Sequence, residues 1–180
     1  MPKDVDYLFK ICFLGEPAVG KTSLVGRYVY DSFEGNYLAT IGTHIHVKTI
    51  QIGDTRVKLV IWDIAGQDDF AGLRKAYYLD SAGAFFVFDT TRPETLDRID
   101  AWIDTLFAVA GPIPVVLVEN KTDLPSQMPA GMVESVANRY GFSIVRTSAK
   151  VDVNVETAFE EMTTKILERA RQRPARHIQE

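Results

Sequence analysis

At 180 residues the chain is long enough for one domain with a single buried core and too short for two full ones. Hydrophobic residues are 46% and charged residues 24%, a globular composition that excludes long disorder. The net charge of -4 does not favour non-specific binding of nucleic acid through the overall field, so a phosphate ligand must be held locally.

Leu8 to Leu14 is a continuous apolar run that predicts a buried first strand, and Lys21 to Tyr30 has the pattern of a helix. Asp31 to Thr43 is polar and contains glycine, which predicts an exposed loop. His44 to Ile52 and Arg56 to Asp63 predict two strands closed as an antiparallel hairpin by the short turn Gly53-Asp54. Ala84 to Phe88 and Val115 to Val118 are short apolar runs without a polar break, as strands covered on both faces require. Between them Leu96, Ile99, Ile103, Leu106 and Phe107 recur at helical spacing, with Pro93 near the start and Gly111-Pro112 beyond the end. A helix from about Pro129 to Tyr140, a strand through Ile144-Val145 and a last helix from about Val155 to Arg171 complete the order. Strands alternating with helices predict an α/β sheet with one antiparallel edge strand.

The junction between the first strand and the first helix reads Gly15-Glu16-Pro17-Ala18-Val19-Gly20-Lys21-Thr22, which fits G-x-x-x-x-G-K-S/T. Backbone N–H groups of such a loop converge on an anion and the helix behind it adds its positive end. Lys21 reaches the outer phosphates, and Thr22 offers a hydroxyl to Mg²⁺. The loop alone leaves open which nucleotide is bound, and whether it serves a kinase, a motor or a switch. At the end of the third strand, Trp62-Asp63-Ile64-Ala65-Gly66-Gln67 puts a carboxylate at the sheet edge that faces the phosphate pocket. Asp63 suits Mg²⁺ held through water, the Gly66 N–H can approach a terminal phosphate, and Gln67 can orient an attacking water. By itself the pattern equally describes a strand ending in a polar turn.

Asn120-Lys121-Thr122-Asp123 follows the fifth strand. Guanine presents N1–H and an amine side by side, so Asp123 can accept from both, whereas adenine faces it with a bare acceptor at N1. Asn120 would tie neighbouring loops together, and the Lys121 stem can lie over the nucleotide. Thr147-Ser148-Ala149-Lys150 follows the last strand and can offer a backbone N–H to the guanine carbonyl. In the interrupted stretch, Thr40 can bring a second hydroxyl to Mg²⁺ and Phe33 can pack against the base.

These five elements, in this order on these strand ends, resemble the Ras superfamily of small GTPases over essentially the whole chain. Thr40-Ile41-Gly42, Lys58-Leu59-Val60-Ile61-Trp62-Asp63, Gln67 with Phe70, and Tyr77-Tyr78 look most like the Rab branch. The resemblance implies a P-loop NTPase three-layer fold, a six-stranded mixed sheet with the second strand antiparallel at the edge, and five helices. It implies one GTPase domain over residues 1–180, with a flexible tail from about residue 172. It assigns phosphate to Gly15, Ala18, Val19, Gly20, Lys21, Thr22 and Ser23, and the base and ribose surroundings to Phe33, Asn120, Lys121, Asp123, Ser148, Ala149 and Lys150. Thr40 and Gly66 would sense the γ-phosphate. Thr22, Thr40 and, through water, Asp63 would hold Mg²⁺. Gln67, Lys21 and Thr40 would serve hydrolysis of GTP to GDP. Effectors, an exchange factor and an activating protein would meet Phe33 to Ile45 and Ile64 to Tyr78, with Ile45, Trp62 and Tyr77 as a hydrophobic patch on a monomer. Hydrolysis without a partner is expected to be slow, with no arginine evidently placed to assist it.

Departures from the family pattern carry their own expectations. Pro17 stands where Ras has glycine and many Rab proteins have serine, beside the space an activating protein's arginine would enter. Proline adds bulk and lacks an N–H, which leaves nucleotide binding intact and puts arginine access or Gln67 placement in question. Ala18 is shared with Rho-like members. Ile45 replaces a phenylalanine, and Asp68-Asp69 replaces a common Glu-Arg.

Other features read plainly. His44 and His46 alternate along one strand without a third metal ligand, so they read as an edge strand in solvent. Trp102 reads as packing. Arg169, Arg171, Arg173 and Arg176 suit a helix end more than an anionic lipid surface. The lone Cys12 fits a reducing, intracellular setting, and no segment is long enough to span a bilayer. The polar start lacks a signal stretch, Pro2 excludes N-myristoylation, and no cysteine follows the last helix. A cytoplasmic protein is expected, peripheral on a membrane only through a lipidated tail trimmed from this chain. The alternative is an unlipidated Ras-like protein of the archaeal or bacterial kind.

Overall fold

The computed structural model describes residues 5–33, 42–64 and 71–172. Its strands are β1 (Tyr7–Leu14), β2 (Thr43–Ile52), β3 (Thr55–Ile64), β4 (Gly83–Asp89), β5 (Val115–Asn120) and β6 (Ser143–Arg146). Its helices are α1 (Lys21–Tyr30), α2 (Ala71–Tyr78), the single turn α3 (Glu94–Asp97), α4 (Ile99–Ala110), α5 (Met132–Tyr140) and α6 (Val155–Gln172). The sheet runs in the order β2-β3-β1-β4-β5-β6, with β2 antiparallel to β3 and every other pair parallel. The five longer helices and the antiparallel edge strand match the expected architecture. Three details differ from the residue-level reading. α5 starts at Met132, because Gly131 takes the left-handed position before it; α2 follows β3 where no periodic pattern marks a helix; and the run from near Pro93 to Gly111 is broken at Arg98, at φ -80° and ψ 1°, into α3 and α4.

Side chains alternate across the central strands, so each feeds two apolar layers. Phe13, Phe85 and Val87 join Leu24 and Tyr28 of α1 and Phe159, Met162 and Ile166 of α6 on one face. Cys12, Phe86 and Phe88 join Leu96, Trp102, Ile103 and Leu106 on the other, with Val133 and Ala137 of α5. All seven residues of β4 and all six of β5 are buried, which is why Ala84 to Phe88 and Val115 to Val118 read as unbroken apolar runs. The rings of Phe13, Phe85 and Phe159 lie 4.8 to 5.7 Å apart, and full burial of each contributes about 1.5 to 3 kcal/mol. The Cys12 thiol is also buried, 2.8 Å from the Ser81 hydroxyl, and burial pushes its pKa up to about 11.

Parallel pairing aligns the C-terminal ends of the central strands. Phe13 is level with Asp63 of β3, Leu14 with Phe86 of β4, and Asp89 with Asn120 of β5. The loops after β1, β3, β4, β5 and β6 therefore leave one edge of the sheet, where ligands of open α/β folds collect.

Candidate functional site: a phosphate cradle at the C-terminal edge of the sheet

Residues 15–20 turn from β1 into α1, and two glycines make the turn possible. Gly15 sits at φ +134°, where a Cβ would meet the Val87 carbonyl oxygen at 2.2 Å. Gly20 sits at φ +104°, where a Cβ would meet Asn120 Nδ2 at 2.2 Å. Gly20 is also the N-cap of α1, which has no side-chain cap and no acid in its first turn. The first N–H groups of the helix and its positive end are thus directed at the loop. The Lys21 ammonium is buried and donates to the Gly15 and Glu16 carbonyls, both at 2.8 Å.

The outward carbonyls of the loop are held by side chains from elsewhere. Arg92 Nη2 donates to Pro17 O at 3.0 Å, Lys121 Nζ to Ala18 O at 2.7 Å, and Asn120 Nδ2 to Val19 O at 2.9 Å. Beneath them Asp89, 2% exposed, accepts from Lys121 Nζ at 2.6 Å and Arg92 Nε at 3.1 Å. Burial alone would raise the Asp89 pKa, but hydrogen bonds from Lys121 and Thr91 outweigh it and hold the carboxyl below its ordinary value. Trp102 is packed in the core as expected and also donates from Nε1 to Glu16 Oε1 at 2.9 Å.

Thr22, the second residue of α1, donates its hydroxyl to Asp63 Oδ2 at 2.5 Å. Asp63 is fully buried, and its other oxygen, Oδ1, has no hydrogen-bond partner among the described residues. Burial raises its pKa, outweighing the Thr22 hydrogen bond and the nearby Lys21, His44 and His46. A hydroxyl and a carboxylate oxygen side by side, with one buried oxygen unpartnered, form the hard-oxygen donor set that Mg²⁺ takes.

The strands β5 and β6 bring the remaining two loops together. Asn120 Oδ1 accepts from Thr147 Oγ1 at 3.1 Å and from the Ala149 N–H at 3.4 Å, so one side chain joins the phosphate loop to the last loop. Ser148 Oγ donates to Asp123 Oδ1 at 2.6 Å, holding the carboxylate beside Ala149 and Lys150. Arg27 of α1 donates to the Ala149 and Lys150 carbonyls at 2.9 and 3.1 Å. Directly before Asn120, the buried Glu119 accepts from Thr90 Oγ1 at 2.7 Å and Arg146 Nε at 2.9 Å.

Of the residues singled out from sequence, Gly15, Ala18, Val19, Gly20, Lys21, Thr22, Asp63, Asn120, Lys121, Asp123, Ser148, Ala149 and Lys150 gather at this edge. Ser23 is partly buried in the first turn of α1, and Phe33 is 36% exposed in the segment after it. Thr40, Gly66, Gln67, Asp68, Asp69 and Phe70 lie outside the described residues, as do Arg173, Arg176 and the tail. Sequence reasoning passed over Arg27, Asp89, Arg92, Glu119 and Arg146. The available signal was their position, within three residues of a strand's C-terminal end or on α1.

Beside the cradle, Ile45 of β2 is 54% exposed and pairs across the sheet with Trp62 of β3, whose ring lies 5.8 Å from that of Tyr77. Lys10 Nζ stands 3.9 Å over the Trp62 ring and donates to the Leu79 carbonyl at 2.8 Å. Both histidines lie on the edge strand; His44 is exposed as read, whereas His46 is half-buried, its Nδ1 3.1 Å from the Tyr30 hydroxyl. Among the described residues no group of three or more His, Cys, Asp and Glu could hold a metal, and no helix is long and apolar enough to cross a membrane.

The profile of the Ras family matches residues 10–168. The Ras-related protein RABA4a of Arabidopsis thaliana is 38% identical over 165 residues, which are 90% of this chain and 73% of that protein. The Ras-related protein Rab-8A of Bos taurus is 36% identical over 162 residues, 88% of this chain and 78% of that one. The phosphate loop and the Asn120-to-Asp123 motif lie within the matched span. The chain belongs to the Ras family of small GTPases, on its Rab branch.

Proposed function

We propose that this small GTPase is a cytoplasmic, Mg²⁺-dependent guanine-nucleotide switch that hydrolyses GTP slowly and acts in membrane traffic or signalling. It would comprise a single domain working as a monomer. The observation that carries the guanine reading is the Asn120 side chain. It ties the phosphate loop through Val19 O to the Thr147–Ala149 loop, whose Ser148 hydroxyl in turn holds the Asp123 carboxylate. In this reading Asp123 accepts from the N1–H and amine of guanine, and Lys121 lies along the nucleotide. Lys21 leaves the loop carbonyls for the outer phosphates, and the N–H groups of residues 18–22 surround them. Thr22, Thr40 and, through water, Asp63 would hold Mg²⁺, which neutralises phosphate charge when bound. Thr40 and the Gly66 N–H respond to the γ-phosphate, and Gln67 orients the attacking water. Unaided turnover falls on the order of 10⁻⁴ to 10⁻² per second, the scale of the intrinsic rates of Ras and Gα. A partner reads the switch at the Ile45, Trp62 and Tyr77 patch and its flanking segments, provided it binds one nucleotide state more tightly than the other.

The test is the nucleotide released when the purified protein is denatured, together with competition among ATP, GTP and GDP. GDP or GTP in the supernatant, and loss of guanine preference in Asp123→Asn, are the expected results; an unchanged preference in that variant would refute the base assignment. Pro17 favours a second reading, a nucleotide-dependent binding module without useful hydrolysis. Phosphate release from wild type and Gln67→Leu decides between them, because equal rates would remove the role given to Gln67.

A further inference from the structure

We propose that Arg92 is a positioning residue for the phosphate loop, holding the Pro17 carbonyl outward so that the Ala18 N–H points into the cradle. The proposal rests on the guanine-nucleotide reading of this site. A trans peptide points its C=O and its following N–H in opposite directions, and no cis peptide occurs among the described residues. Whatever grips a carbonyl from outside therefore aims the next N–H inward. Lys121 does this at Ala18 O for the Val19 N–H, and Asn120 does it at Val19 O for the Gly20 N–H. The peptide between Pro17 and Ala18 is held by Arg92 Nη2 at 3.0 Å.

That peptide has particular need of a grip. Pro17 has no N–H to offer, so the Ala18 N–H is the first donor after Glu16. Ala18 sits at φ 61°, a left-handed conformation that a residue with a Cβ does not adopt without support. Arg92 is itself fixed: its Nε bonds to Asp89 Oδ2 at 3.1 Å, and Thr91 N and Oγ1 bond to Asp89 Oδ1 at 2.9 and 2.7 Å. One buried carboxylate thus seats both cations, Arg92 and Lys121, on adjacent carbonyls of the loop. The planar guanidinium reaches carboxylate and carbonyl with separate nitrogens, a fork that a lysine at this position cannot reproduce.

Release of a fluorescent GDP analogue from the full chain tests this in wild type, Arg92→Ala, Arg92→Lys and Arg139→Ala. The last removes an arginine whose 2.7 Å pair with Asp100 lies in solvent. Loss of one hydrogen bond from a charged donor predicts release about tenfold faster in Arg92→Ala, intermediate in Arg92→Lys and unchanged in Arg139→Ala. The Ala18 amide proton resonance should also shift less on GDP binding in the Arg92 variants, an effect that a general loss of stability would not produce. Release and Ala18 shift indistinguishable from wild type in both Arg92 variants would overturn the proposal, as would equal acceleration in Arg139→Ala. If Arg92→Ala does not fold, Arg92→Lys carries the comparison. A wild-type protein that retains no guanine nucleotide would instead overturn the parent reading, and the clamp with it.

Discussion

Asp63 is fully buried, and its Oδ1 has no hydrogen-bond partner among the described residues, so without metal the fold holds a carboxylate whose ionised form burial opposes. Asp63→Asn keeps an oxygen that can accept from Thr22 and removes the buried charge. In the presence of a chelator the variant should be more stable than wild type by roughly 1 kcal/mol, and its nucleotide affinity should respond less to Mg²⁺, with the Thr22 and Thr40 hydroxyls still in place. Denaturant unfolding and titration with Mg²⁺ check the two halves, and a destabilised variant would contradict the first. Residues of this kind were legible in the sequence because they stand in short motifs at the C-terminal end of a strand or directly after it. Arg92 was not, because its meaning depends on Pro17, which lies 75 residues earlier and touches it only once β1 and β4 are paired. Trp102 was read as packing because burial leaves a periodic trace in sequence, whereas its hydrogen bond to Glu16 leaves none.

Two glycines at the ends of β1 and β4 meet different neighbours, and the difference sets what each element tolerates. At Gly15 an added Cβ would strike the Val87 carbonyl, which is backbone of the fully buried β4, and the φ of +134° is itself unfavourable. Gly15→Ala should cost at least about 3 kcal/mol and prevent nucleotide binding. At Gly83 the Cβ would meet Met162 Sδ at 2.6 Å and Ile166 Cδ1 at 2.8 Å, the ends of side chains that can turn aside. Gly83→Ala should cost about 1 to 2 kcal/mol, with α6 still packed on the sheet. Thermal unfolding and GDP binding separate the outcomes, and equal losses at the two sites would be the wrong result. The strands and four of the helices could be read from apolar runs and periodicity. α2 could not, because its anchorage is tertiary: Tyr78 is fully buried, and the Tyr77 carbonyl accepts from Cys12 Sγ at 3.3 Å. Local propensity has little to say about a helix held in that way.

For the molecule as a whole, acid is the expected point of failure of the site's bracing. The folded-state pKa of Asp89 is depressed, so its contribution to stability is complete above the unfolded-state value, about 3.9, and fades as pH falls through the lower folded value. The stability difference between wild type and Asp89→Asn should therefore stay constant from neutrality down to about pH 5 and shrink below about pH 4. Denaturant unfolding across that range measures it; a difference that shrinks near neutrality would point to another group. Of the strand order only the β2–β3 pairing was legible, from the Gly53-Asp54 turn, since apolar runs name strands without saying which lie side by side. That order has a consequence for synthesis. Within this chain the phosphate loop is made before the residues that hold its carbonyls, which follow 75, 101 and 103 positions later. A nascent chain halted at Ala110 has the loop sequence but neither β5 nor the Asn120 and Lys121 grips. Capture of nucleotide is therefore expected only once β5 and these grips have been made, so that retained GDP would report a sheet assembled through β5.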